Sequence, residues 1–274
     1  MQDVFLFSFI FMTDTLKIFE ENDNKSLFFR VLIELRLFAR HFLFVIDTKS
    51  SGFIRLNFAL PIYTRSRRMM FDARRPMVID NEDLEHLCEE LSDISSVLTQ
   101  LVPGLSIGFK EISQTLDKDG EAATVTMLTA YRDGKELPLR DESDGVRKII
   151  SVLSLIIAAF NEQSVTVAID EFDAGIFEYL LGEILQSMEE SGKGQFIFTS
   201  HNLRPLEVIN KKFLYFTKTN PQNRYIRLKN ISATNNLRDT YFREIILCEQ
   251  EEEIYNKTKK FKIIAALKKA GGLR

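Results

Sequence analysis

The pattern of apolar and polar positions changes period several times along the chain, and each change predicts an element. Residues 1–12, MQDVFLFSFIFM, are almost continuously apolar. Such a run predicts a buried strand or helix, or a segment that once followed something upstream. Residues 26–46, SLFFRVLIELRLFARHFLFVI, predict a buried helix with Ser26 as its N-cap. Between Gly52 and Tyr63 the alternation FIRLNFAL predicts a strand ended by Pro61. Asp80 opens an amphipathic helix: Leu84, Leu87, Leu91, Ile94, Leu98 and Leu101 recur at three- and four-residue steps until Pro103-Gly104 stops it. LSIGFKEI and AATVTMLTAYR then alternate with period two around DKDG (residues 117–120), a hairpin signature, and a turn at Asp133-Gly134 leads into LPLR. The stretch 52–140 is expected to be α+β.

From residue 141 the predicted order is helix, strand, helix, strand, hairpin. Residues 146–160 form an apolar helix, and VTVAID (165–170) is a buried strand. IFEYLLGEILQSMEES (176–191) is a helix closed by Gly192, and QFIFTS (195–200) is a second buried strand. A strand–helix–strand unit of this kind implies a parallel pair with a right-handed crossover. FLYFTK and RYIRLK, separated by TNPQN, predict a terminal hairpin. The tail runs acidic (Glu249, Glu251, Glu252, Glu253) and then basic (Lys257, Lys259, Lys260, Lys262, Lys268, Lys269), the order of a solvated helix matched to its dipole and capped by Gly271-Gly272.

Composition narrows the class only a little. Hydrophobic residues at 45% and charged residues at 27% are ordinary for a soluble globular chain. A net charge of −3 leaves no global basic field for nucleic acid. The cluster Arg65, Arg67, Arg68, Arg74 and Arg75 is therefore either a phosphate-backbone grip or a solvated loop paired with local acids. Cys88 and Cys248, the only cysteines, lack the spacing of a zinc site or a disulfide framework and fit a reducing cytosol. Ten of the 23 phenylalanines precede residue 45, yet the opening run carries Asp3, lacks a basic n-region and ends before Asp14. It is too short for a membrane span and wrong for a signal peptide. A cytoplasmic protein without membrane contact is expected.

The chemistry concentrates in three places. Thr166-Val167-Ala168-Ile169-Asp170-Glu171 puts two carboxylates at the C-terminal edge of a parallel sheet, where α/β proteins bind ligands. Thirty residues on, the neighbouring strand ends Thr199-Ser200-His201-Asn202, bringing His201 close to those carboxylates; the alternative is capping of a helix near Leu203. Glu142-Ser143-Asp144-Gly145-Val146-Arg147-Lys148 starts the apolar helix, and a hydroxyl with a glycine at a helix N-terminus suits an anionic phosphate, although plain N-capping by Ser143 explains it too.

Taken in order, ESDGVRK, AIDEFDAG and FTSHN resemble the signature motif, Walker B with D-loop, and switch histidine of the ABC ATPase superfamily. DEFDAG is closer to the SMC, RecF and OLD-like branch, including bacterial AAA family ATP-binding proteins, than to transporters, which carry Pro where Phe172 stands. The resemblance covers about residues 100–245. It implies an α/β, P-loop NTPase-like (ABC-type) parallel-sheet lobe, with a preceding α+β region and a terminal β-hairpin and helix. It further implies ATP and Mg²⁺ as cofactors. Asp170 would orient Mg²⁺ and Glu171 would be the general base. Asp173 with Ala174 and Gly175 would form the D-loop facing an opposite subunit. His201 would sense the γ-phosphate, and Ser143 and Gly145 would touch nucleotide held by a partner head. Asp144 replaces a usual glycine, and Phe177 stands where many D-loops end in Asp.

No GxxxxGK[ST] occurs in the 274 residues. Gly192-Lys193-Gly194 has the wrong flanks and predicts a helix-ending turn. The family's P-loop precedes the signature, so the chain is expected to be truncated, split or degenerate, and to hydrolyse ATP poorly on its own. The expected organisation is 1–103 as an insertion-like region, 104–248 as the ATPase lobe and 249–274 as a charged tail. The expected partner is a second copy or a polypeptide supplying the P-loop lobe. The other readings are an inactive scaffold or regulatory protein, and a DNA- or RNA-binding module using the arginine cluster or lysine tail.

Overall fold

The computed structural model describes residues 27–46, 59–63, 68–217, 220, 222, 224–227, 237–239, 241 and 259–271. The expectations for residues 1–12, Ser26, Arg65, Arg67 and Glu249–Glu253 lie outside these residues. Two compact units, Met1–Asn202 and Leu203–Arg274, make up the chain.

The stretch expected as one helix over 26–46 is not one. Leu27–Leu37 is helical (α1), Phe38–Phe42 is a π-turn, and Leu43–Ile46 is a strand (β1). β1 pairs in parallel with β8 (Thr166–Ile169), from Leu43 opposite Thr166 to Ile46 opposite Ile169. An unbroken apolar run fits a buried helix or a buried strand equally well by period. Here the ladder to a segment more than 120 residues away decides for strand, with Phe44 and Ile46 buried.

Pro61 likewise does not end its strand. Ala59–Tyr63 (β2) runs through it, antiparallel to β3 (Arg68–Asp72), with Pro61 opposite Met70. A two-stranded ribbon is all edge, and an edge tolerates a residue without an N–H. Of the basic cluster, Arg74 donates to the Asp72 carboxylate at 3.1 Å from both Nε and Nη2, which balances its charge locally.

An antiparallel sheet follows. β6 (Ala122–Arg132) pairs along one side with β5 (Leu105–Leu116), and shares its other side between β4 (Met77–Asp80) and β7 (Lys135–Pro138). The predicted amphipathic helix is α2 (Asn81–Leu101), with Leu84, Leu87, Leu91, Ile94 and Leu98 buried as its period requires. α3 (Asp144–Asn161) buries Ile149, Ile150, Val152, Leu153, Leu155, Ile156 and Ala159. It is apolar nearly all round because α2, β2, β8 and β9 (Gln195–Phe198) all lie beside it.

The parallel sheet has the order β1–β8–β9, and α4 (Glu178–Ser191) makes the crossover between β8 and β9. Gly192 closes α4, its N–H donating to Met188 O at 3.0 Å. Gly194 lies so close to the end of α3 that a Cβ would meet Val165 O at 2.5 Å and Glu162 O at 2.7 Å. Gly192-Lys193-Gly194 is thus a packed turn. The fold is α/β, with the α+β region lying in sequence between β1 and the rest of the parallel lobe.

Phe172, directly after the two carboxylates, is fully buried. Its ring meets Phe196 edge-on at 5.2 Å and Phe198 at 5.9 Å between centroids. This cluster fastens the turn after β8 to the face of β9. Phe172→Ala is expected to cost about 3–5 kcal/mol, read as a drop in the urea midpoint at unchanged m-value; an unchanged midpoint would contradict the packing.

In the second unit, β10 (Phe216–Thr217) and β11 (Tyr225–Ile226) form the predicted hairpin after a short α5 (Pro205–Val208), and α6 (Lys260–Ala270) covers the basic part of the predicted tail helix, whose acidic part lies outside the described residues. Glu207 accepts from Arg204 and Arg238, each at 2.8 Å. Among the described residues no helix is long and apolar enough to cross a membrane.

Candidate functional site

The site is built at the C-terminal ends of β8 and β9. Asp170 N donates to Ile46 O at 2.9 Å, continuing the β1–β8 ladder one step past the strand, and Phe172 N donates to Thr199 O at 3.0 Å. Between these anchors the chain turns sharply. Thr199 closes the neighbouring strand and works on both carboxylate residues: its hydroxyl donates to Asp170 Oδ1 and accepts from Glu171 N at 2.8 Å. Sequence reasoning gave Thr199 no role. Its one signal was position, a hydroxyl at the end of the strand beside the paired carboxylates.

Glu171 has φ 49°, a left-handed conformation that costs a non-glycine residue about 1–2 kcal/mol. Strain of this kind concentrates at functional sites. The Glu171 carboxylate lies 3.7 Å from His201 Nε2, and both side chains are open to solvent, 43% and 85% exposed. Asp173 is turned inward by comparison. Its carboxylate accepts from His201 N at 3.2 Å and Asn202 N at 3.0 Å, tying the turn to the end of β9. Neither His201 nor Asn202 caps a helix: the N-cap of α5 is Arg204, without a side-chain bond.

The third motif meets the same turn. Ser143 is the N-cap of α3, its Oγ accepting from Val146 N at 3.3 Å. Asp144, at the position where the resemblance expects glycine, is ion-paired with Arg147. Arg147 also donates to Glu142 O at 2.8 Å, and the buried Glu142 carboxylate takes both arms of Arg132 at 3.1 and 3.3 Å. The helix start is thus held by the end of β6 and carries no unbalanced carboxylate. Gly145 touches the turn backbone to backbone: a Cβ there would lie 2.0 Å from Gly175 O.

Lys148, one turn further along α3, is 3% exposed and donates to Glu171 O at 2.6 Å and Ala174 O at 2.8 Å. Burial lowers its pKa to about 8, against the pull of the Asp173 and Glu171 carboxylates. The unfolded chain holds this proton up to about pH 10.5. Between pH 8 and 10.5 the unfolded state therefore binds more protons, and stability rises with pH through that window. Below pH 8 both states are charged and the full burial cost, about 3 kcal/mol, is present. The stability difference between wild type and Lys148→Met is expected to change by about that amount from pH 8 to 10.5; a difference independent of pH would contradict it.

The structure thus brings Ser143, Gly145, Asp170, Glu171, Asp173 and His201 onto or beside one turn. Among the described residues no three His, Cys, Asp or Glu side chains cluster as a metal cage. A single oriented carboxylate is what Mg²⁺ takes when phosphate oxygens and waters fill the rest of its shell. Ser143 and the first amides of α3 suit a phosphate. The donor set fits Mg·ATP.

A family model described as "AAA domain, putative AbiEii toxin, Type IV TA system" (AAA_21) matches residues 30–207, well over half of the chain. The chain belongs to this AAA family. The AAA match spans every motif residue and confirms the P-loop ATPase-like class. Two solved structures share local similarity. The Smc head bound to the C-winged helix domain of ScpA is 17% identical, covers 45% of this chain and 36% of its own, and has a TM-score of 0.34. The Smc head with an extended coiled coil bound to the C-terminal domain of ScpA, derived from Pyrococcus furiosus, is 18% identical over 45% and 33%, with a TM-score of 0.30. The chain spans about a third of each of these structures. No curated protein matches it.

Proposed function

We propose that this AAA protein is the signature, Walker B and switch-histidine lobe of an ATPase head, and that it turns over Mg·ATP when a phosphate loop is supplied to it. One observation carries the reading: Asp170, Glu171 and His201 converge at the end of a parallel sheet, on a turn packed against the N-terminus of α3. Asp170, oriented by the Thr199 hydroxyl, would hold the metal. Glu171 would take the proton of the attacking water, with His201 beside it at the phosphate. ATP supplies a phosphoryl group bearing a good leaving group; the chain's own residues orient water and metal around it. Ser143 and the α3 amides would face nucleotide held by a second copy or another polypeptide. Asp173 would act by holding His201 and Asn202 in place.

The lobe would occupy 104–248 and take β1 from within 1–103, the rest of which would be an insertion-like region, with 249–274 as a tail, in a cytoplasmic protein. The absence of GxxxxGK[ST] from the 274 residues favours one second reading, an inactive scaffold or regulatory protein that keeps the site. DNA or RNA contact through the basic segments is an addition to either reading.

The test is reconstitution. The gene upstream of the Met1 codon, and its neighbours, would be searched for GxxxxGK[ST] behind an apolar strand, and the segment found co-expressed with this chain. ATP turnover in the combined preparation alone is expected. No turnover in any combination leaves the scaffold.

A further inference from the structure

Lysine is almost never fully buried without partners. Lys148 donates to two main-chain carbonyls of one turn, Glu171 O and Ala174 O. The first belongs to the one residue of the turn other than glycine in the left-handed conformation. The Glu171 peptide is held from its other side by Thr199, which accepts from Glu171 N, while Ala174 N closes the turn onto Glu171 O at 3.1 Å. An apolar side chain of the same length would fill the space without the cost of burying a charge. Packing therefore does not explain an ammonium here, and its two short bonds do.

We propose that Lys148 is a positioning residue: from the first turns of α3 it clamps the carbonyls of Glu171 and Ala174 and so holds Glu171 in the left-handed conformation that sets its carboxylate beside His201. The clamp joins the helix that begins at Ser143 to the turn bearing the proposed base, so a shift of α3 is felt at Glu171. This rests on the reading of Glu171 as the base, whereas the clamp itself is testable without nucleotide.

The experiment is amide hydrogen exchange on the full chain. In Lys148→Met, the amides of Ala174 and Ile176 are expected to exchange at least tenfold faster, with those of Val167 and Leu153 unchanged. Glycine adopts positive φ without strain. Adding Glu171→Gly to Lys148→Met is therefore expected to return the turn to within about threefold of wild type, a rescue that a packing role would not give. Unchanged exchange in the turn, acceleration spread evenly over the chain, or no rescue by Glu171→Gly would each overturn the clamp. Should Lys148→Met not fold, the wild-type protein decides. Hydrogen-bond couplings from Lys148 Nζ to the carbonyl carbons of Glu171 and Ala174 are expected by NMR, and their absence overturns it. Loss of the clamp with intact ATP turnover would sink this inference alone; an intact clamp without turnover in any reconstitution would sink the ATPase reading.

Discussion

Gly145→Ala is expected to destabilise the chain by about 3 kcal/mol, the upper part of the range for overpacking a close contact. The added methyl would sit 2.0 Å from Gly175 O and 3.1 Å from Gly175 C. Both are backbone atoms, so no side-chain rotation relieves the clash. Either the start of α3 lifts away from the turn or the turn moves, and the turn is already tied to Thr199, His201 and Asn202. A useful control is Gly120→Ala. Gly120 has φ 86° with nothing within 4 Å of a Cβ, so only backbone strain of about 1–2 kcal/mol is expected. Urea unfolding of both variants at one pH checks the order. Gly145→Ala as stable as wild type would mean that α3 and the turn are not in backbone contact. The glycine that the signature resemblance assigns to nucleotide is thus required by the chain's own packing, whatever it does for a ligand.

The second large effect is on turnover. In an assembly that hydrolyses ATP, Glu171→Gln is expected to lower kcat by about 10²–10⁴, the usual contribution of a positioned base, while ATP stays bound. The substitution isolates chemistry from structure. The hydrogen bonds to Glu171 from Lys148 and Ala174, and from Glu171 to Thr199, use its main-chain atoms and survive the change. The unfolding midpoint should stay put, and a matching loss of stability would show that the carboxylate serves the fold. Turnover equal to wild type would remove Glu171 from the chemistry.

Elements whose period is local were legible in the sequence. α2, the β5–β6 hairpin and the β8–α4–β9 crossover each follow from alternation or heptad-like spacing bounded by Gly, Pro or Asp. Leu43–Ile46 was not legible as a strand, because its partner is β8 and nothing in LFVI itself distinguishes strand from buried helix. Pro61 misled for a similar reason: whether a proline ends a strand depends on which edge is paired, a tertiary property.

At the site, the residue types were visible and their mutual contacts were not. Asp170, Glu171 and His201 announce themselves by strand-end position. The arrangement that makes them one unit does not. Thr199 bridges 28 and 29 residues back to Glu171 and Asp170, Lys148 reaches 23 and 26 residues forward, and Gly145 meets Gly175 through backbone alone. The departures from the resembled pattern also find physical reasons only in three dimensions. The Asp144 charge is paired with Arg147, and Phe172 belongs to an aromatic cluster with β9.

This lobe is proposed to complete an Mg·ATP site whose phosphate loop comes from elsewhere. Equilibrium dialysis of Mg·ATP against the chain alone, and against the chain co-expressed with a segment carrying GxxxxGK[ST], tests it most directly. No binding at millimolar ATP is expected of the chain alone, and one ATP per chain is expected in the combined preparation, lost when Mg²⁺ is chelated. Tight, Mg²⁺-dependent ATP binding by the isolated chain, or none in the combined preparation, would contradict it.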